Sequence, residues 1–247
     1  MDFTRIEELA GKLKSMRPLN ETELKRIRDE FAIENTYNSN AIEGNTLTLR
    51  ETALIMQEGI TIAEKPIKEH LEVIGHKDAF EYIISLADAN TELTEQVIKQ
   101  IHSLVLMNDS NNRGVYRGIG VSIKGALHQP PQPYLVPVQM EQLISDYEGM
   151  KQGKHIVEAI AKFHLRFEGV HPFIDGNGRT GRLIINLELI KAGLLPVNIK
   201  CSDSRKYYGC FDDYFGNGHT TDSLTQLIVN YEIEELERHI RIIEGKI

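Results

Sequence analysis

Two cysteines, Cys201 and Cys210, are all that the 247 residues contain. They have neither the density of a disulfide scaffold nor the spacing of metal ligands. Basic charge is also in deficit. Lys and Arg number 28 against 36 Asp and Glu, for a formal net charge of -8 and a pI near 5.6. That balance argues against nucleic acid or an anionic membrane as the main partner, because both reward basic surface; a locally positive pocket is still allowed. No apolar run approaches the length that spans a bilayer. The opening MDFTRIEELAGKLKSMRPLN is charged and amphipathic, without an apolar signal core. A reducing, cytoplasmic location is therefore expected. There is no internal repeat, low-complexity tract or long linker. What remains, 41% hydrophobic and 26% charged, is the mix of a globular protein with enough chain for a real core.

Helical period runs through nearly the whole chain. Asn20 with Glu23 forms a capping box, after which Leu24, Ile27 and Phe31 share one face of a helix running to about Ile42, with Gly44 and Asn45 as its stop. Thr48 with Glu51 predicts a second box, ended by Gly59. Apolar stripes follow at 67–87 and 94–105, and further helices are predicted near 138–150, 156–167, after the glycine-rich motif below, 204–214 and 223–244. Between 108 and 137 the period breaks in NDSNNRGVYRGIGVSIKGALHQPPQPYLVP, where a short alternation around Val121 and Ile123 predicts a β-hairpin flap. The fold class is all-α with one small hairpin. The chain reads as a single compact domain, in which N-terminal helices over 1–60 pack on a core over 61–247.

HPFIDGNGRTGR, from His171 to Arg182, holds more charge and backbone freedom than a helix connection needs. Glycines at 176 and 178 allow unusual backbone, so successive N–H groups can face one concavity. A helix N-terminus follows, adding free donors and a positive dipole end that suit phosphate. Arg179 and Arg182 lie three apart on that helix and can hold further phosphate oxygens. Asp175 can share Mg²⁺ with a polyphosphate, and His171 carries an imidazole that can act as general base. Together these groups make a site for nucleotidyl or phosphoryl transfer.

The same stretch resembles the signature of the Fic family, HxFx(D/E)GNGRxxR, at every specified position: His171, Phe173, Asp175, Gly176, Asn177, Gly178, Arg179 and Arg182. The resemblance implies an all-α Fic fold and transfer of AMP from ATP to a hydroxyl of a target protein. By it, His171 is the base, Asp175 holds Mg²⁺, Asn177 and the loop amides bind the α-phosphate, and Arg179 and Arg182 bind the outer phosphates. The nucleotide site then spans Asp175 to Arg182, with Thr180 and Gly181 included. Related Doc toxins, which phosphorylate, carry lysine where this chain has Gly178, so adenylyl transfer is expected.

IKGALHQPPQP resembles the Fic segment that covers the site and pairs with a target peptide as an added strand, with Ile123, Lys124, Gly125 and Ala126 on the nucleotide side. Tyr207 and Tyr208 resemble a tyrosine pair near adenine, or are two core aromatics; Asn217 is a further candidate contact. His128 is a second base or, more in keeping with a flap, structural. His155 and His164 lack an acidic or cysteine partner in phase, so a zinc site with His171 is not expected.

NSNAIEGN, from Asn38 to Asn45, resembles the Fic inhibitory motif (S/T)xxxE(G/N) through Ser39, Glu43 and Gly44. Ser39 and Glu43 share a helix face, and by the resemblance Glu43 pairs with Arg182 where the γ-phosphate must lie. The expected function is a self-inhibited protein adenylyltransferase that also modifies itself, with ATP as substrate and a target docking on the flap. Removal of AMP at the same site, or a nucleotide-sensing module, are the alternatives. A homodimer is possible on this reading.

Overall fold

The structure, a computed structural model, describes residues 2–245; Met1, Lys246 and Ile247 lie outside the described residues, the last two ending the expected 61–247 unit. Among the described residues ten α-helices follow one another: α1 Thr4–Ser15, α2 Glu21–Ile42, α3 Leu49–Glu58, α4 Ile67–Asp88, α5 Glu95–Val105, α6 Val136–Lys151, α7 Ile156–Val170, α8 Asn177–Lys191, α9 Ser204–Gly216 and α10 Asp222–Ile243.

Both capping boxes form. The Asn20 side chain accepts from the Glu23 N–H, and Glu23 returns a bond from the Asn20 N–H, both at 2.9 Å. Thr48 and Glu51 do the same at the start of α3. α3 stops on Gly59, whose φ of 66° lies in the left-handed region that glycine adopts without penalty.

α8 is the axis of the fold. Every residue from Arg179 to Leu189 is buried, so the helix is packed on all sides rather than along one stripe. α4, α5 and α7 pack around it, α2 lies against α4 and its last turns reach α8, and α1 lies along α10. Phe31 and Ile42 of α2 join the same apolar core as Ile184 and Leu187 of α8, which fixes the end of α2, with Ser39 and Glu43, against the motif helix. No described helix is long and apolar enough to cross a membrane.

The flap differs from expectation: among the described residues there is no strand, and the segment after α5 runs as coil to a short 3₁₀ turn at Pro133–Leu135. The alternation at Val121 and Ile123 is too short to pair, and Pro130, Pro131 and Pro133 remove the donors a second strand would need. Arg117 holds the segment instead. Its guanidinium donates to the carbonyls of His171 at 2.8 Å, Ile119 at 3.0 Å, Pro131 at 2.6 Å and Val170 at 3.3 Å. One buried side chain thus ties both arms of the flap to the end of α7.

Candidate active site

The loop between α7 and α8 is shaped by local chemistry. His171 ends α7 in the left-handed region, with φ 48° and ψ 61°, and Pro172 cannot continue the helix. Asn177 clasps the loop from inside: its carboxamide accepts from the Phe173 N–H and donates to the Phe173 carbonyl, both at 2.9 Å. The side chain expected on the α-phosphate therefore braces the backbone. Gly176, at φ 78°, caps α8. The first intrahelical bond runs from the Thr180 N–H to the Gly176 carbonyl, so the N–H groups of Asn177, Gly178 and Arg179 have no intrahelical acceptor and form an anion seat.

His102, on α5, supports this loop from below. Its Nδ1 accepts from the Gly114 N–H at 2.8 Å, so Nε2 carries the proton and donates to the Asp175 carbonyl at 2.9 Å. Its ring stacks on Phe173 with centroids 3.6 Å apart, and burial holds it neutral, lowered to about 4. Sequence reasoning missed His102. Its only signal was a histidine on the apolar face of a helix far along the chain.

Asp175 is half-exposed. One carboxylate oxygen accepts from the Gly176 N–H at 2.6 Å and from Arg179 at 3.2 Å, while the other has only Lys68 at 4.0 Å. That second oxygen, beside the anion seat, fits a Mg²⁺ ion shared with phosphate oxygens. Among the described residues no group of three His, Cys, Asp or Glu side chains gathers as a metal cage. Arg179 points away from the cavity: it is buried and reaches Glu72 on α4 at 3.4 Å. Thr180 and Gly181 are buried beneath the seat, and none of the three lines the cavity.

Lys124 of the flap and Arg182 are the cations that line the cavity, and Arg182 is the buried one. It is almost fully buried and donates to the Ser39 hydroxyl at 3.1 Å, the Ser39 carbonyl at 2.8 Å, the Glu43 carboxylate at 2.8 Å and the Tyr207 hydroxyl at 3.4 Å. Burial opposes its charge, but Tyr207 and Glu43 outweigh burial and hold it firmly protonated. Two histidines flank it. His76 and His164 are fully buried and pushed down to about 3, first by burial and then by the Arg182 charge. Glu43 lies over Gly178 so closely that a Cβ there would overlap its carboxylate. Gly44, at φ 93°, turns the chain away after Glu43.

A cavity of about 380 Å³ opens over these groups, within the range of small-molecule sites. Ile123 to Ala126 of the flap, His171, Asp175 to Gly178, Arg182 and Glu43 all line it, together with Tyr207 and Tyr208. Tyr207 is buried, with its hydroxyl 2.7 Å from His164; Tyr208 is half-exposed and donates to the Ile42 carbonyl at 3.2 Å. Phe211, one turn after Tyr207, and Glu168 also line the cavity; neither was expected. Asn217 caps the C-terminus of α9 and does not line it. The flap histidine His128 lines the cavity and stacks on Phe215 at 3.6 Å. His155 caps α7 and stacks on Phe3.

Comparison with known proteins follows the same lines. The Fic/DOC family pattern matches residues 92–189. The chain is 36% identical over 208 residues to the protein adenylyltransferase Fic of Nematostella vectensis, covering 83% of this chain and 48% of that protein. It is also 36% identical over 217 residues to the Aedes aegypti protein of the same name, covering 84% and 42%. The chain thus spans less than half the length of these curated relatives. A Fic domain containing signaling protein from Bacteroides thetaiotaomicron superposes with a TM-score of 0.89 at 30% identity, covering 99% of both chains. Fic-1 of C. elegans, residues 134–508, superposes at 0.87 with 27% identity over 99% of this chain and 72% of that one.

Proposed function

The chain belongs to the Fic/DOC family, and on that premise we propose that it transfers AMP from ATP to a hydroxyl of a protein and restrains itself through Glu43. The observation that carries this reading is convergence: His171, one open oxygen of Asp175, the α8 anion seat and Arg182 line one cavity.

In this reading the α-phosphate sits on the free N–H groups of Asn177 and Gly178. Asn177 contributes its backbone there, because its side chain is committed to Phe173. His171 takes the proton of the incoming hydroxyl as its oxygen attacks the α-phosphorus. The bond to the β-phosphate oxygen breaks, and pyrophosphate leaves. Mg²⁺, held by Asp175, neutralises phosphate charge when bound. Arg182 holds the γ-phosphate once Glu43 releases it, which aligns the leaving group for in-line displacement. The target lies along the flap, and the protein's own hydroxyls are further acceptors.

A second reading rests on Glu43, whose carboxylate lines the cavity beside Gly178. There it is placed to orient water onto an AMP-modified hydroxyl, so removal of AMP shares the site. A module that only binds nucleotide has no use for His171 in the cavity wall. The test is incubation of the protein and of Glu43→Gly with labelled Mg·ATP, and separately with an AMP-modified protein. Transfer by Glu43→Gly supports the first reading; release of AMP by the parent alone supports the second; neither activity overturns both.

A further inference from the structure

His171 has an unused nitrogen. Its Nδ1 is buried and has no hydrogen-bond partner among the described residues. One turn earlier on α7, on the same face, Glu168 is also buried, and its Oε2 lies 3.5 Å from that Nδ1. The other carboxylate oxygen, Oε1, is buried without a partner as well. A buried carboxylate oxygen with no donor is expensive, and the His171 Nδ1 proton is a donor within 3.5 Å of the group.

The surroundings support the pairing. Gly181 on α8 leaves room for it: a Cβ there would stand 2.6 Å from His164 Nδ1 and 3.3 Å from Glu168 Oε1. On α9, Tyr207 is kept protonated first by burial, with the Glu168 charge contributing. His128 faces His171 from the flap, and burial and then the His171 charge favour its neutral form. Arg117 grips the His171 carbonyl and fixes the backbone on which the ring turns.

We propose that Glu168 is the positioning residue of His171: it accepts the Nδ1 proton, leaves Nε2 free to take the substrate proton, and stabilises the imidazolium that results. The carboxylate itself gains no proton; the hydroxyl proton ends on Nε2, and the Nδ1 proton stays where it was. The 3.5 Å separation tightens to a hydrogen bond as charge develops, as catalytic contacts commonly do once substrate is bound. The inference rests on the reading of His171 as base.

The test uses the full chain in the Glu43→Gly background and has two arms. Nitrogen-15 NMR of the histidine side chains reads the His171 tautomer directly and needs neither activity nor a Glu168 variant. Nδ1–H is expected, and Nε2–H overturns the proposal. In the second arm, Glu168→Gln and Glu168→Ala are assayed for labelled AMP transfer, with ATP affinity measured by calorimetry. Losing the orienting carboxylate is expected to lower kcat on the order of 10²-fold, with KM and the Kd for ATP within about twofold, and Glu168→Asp should recover part of the loss. An unchanged kcat overturns the proposal, as does a loss explained wholly by ATP binding. His171→Ala separates the two ideas: if it still transfers AMP, the base assignment fails, whatever tautomer the NMR reports.

Discussion

Glu43→Gly probes the proposed restraint at the point where its strength can be worked out. The Glu43 carboxylate accepts from Arg182 at 2.8 Å, and its side chain is 34% exposed against 5% for Arg182. A charge-assisted hydrogen bond contributes about 1.5–3 kcal/mol; solvent at the Glu43 end holds the figure near the lower half of that range. Arg182 keeps three other bonds, to the Ser39 hydroxyl, the Ser39 carbonyl and the Tyr207 hydroxyl. About 2 kcal/mol is thus released by the substitution, which at 1.4 kcal/mol per tenfold is roughly a 30-fold gain in transfer. The space over Gly178 opens at the same time. The assay is self-labelling with labelled Mg·ATP, parent and variant side by side. Ser39→Ala serves as internal scale: it removes only the 3.1 Å bond to Nε and keeps the carbonyl bond, so its gain should be several-fold smaller. Equal rates for parent and Glu43→Gly, or a larger gain from Ser39→Ala, would refute the reasoning.

Three further outcomes are expected. Asp175→Ala should abolish transfer and remove the Mg²⁺-dependent part of ATP affinity, since the open oxygen of Asp175 is the proposed metal ligand; calorimetry with and without Mg²⁺ checks it, and a metal-independent affinity in the parent sinks the assignment. Asn177→Ala should cost about 2–5 kcal/mol, because both Phe173 backbone groups lose their partner in the interior; an unchanged urea midpoint would show that the clasp is ornamental. Stability should fall on acidification from about pH 6.5, because six histidines, among them His76 and His164 at about 3, are lowered in the fold against two carboxylates, Glu232 and Glu235, that are raised. The unfolded chain then binds protons that the folded chain refuses, and each net proton is about 1.4 kcal/mol per pH unit; identical urea midpoints at pH 7.5 and 5.5 would contradict this.

What the sequence made legible was local. Asn20 with Glu23, and Thr48 with Glu51, fall within one turn, so the helix starts followed directly. The loop from His171 to Arg182 likewise carries its own instructions in a left-handed residue, a proline and a glycine cap. What was not legible depends on distance. His102 reaches the Asp175 carbonyl across 73 positions, and Arg117 reaches His171 across 54; nothing in their own neighbourhoods marks them. Glu168 is disguised by the period of α7, where it reads as one polar position among apolar ones. The hairpin failed for the opposite reason: two alternating residues satisfy a local pattern without showing whether a partner strand exists.

In the proposed reading, Arg182 joins restraint and catalysis in one site. It lies between His76 and His164, both held neutral, and Glu43 is the one carboxylate within hydrogen-bonding reach among the described residues. A buried guanidinium without an anion is costly, so the pocket favours a negative group beside it in every state. In the proposed cycle Glu43 fills that requirement when the γ-phosphate does not, and the γ-phosphate fills it when Glu43 withdraws. The two compete for one cation, so the free energy that holds α2 against α8 is subtracted from productive ATP binding. Linkage then runs both ways: whatever loosens the end of α2 favours aligned ATP, and aligned ATP loosens the end of α2. Tyr208, donating to the Ile42 carbonyl, ties that same turn to the wall of the cavity, so in the proposed cycle the competition reaches beyond the outer phosphate.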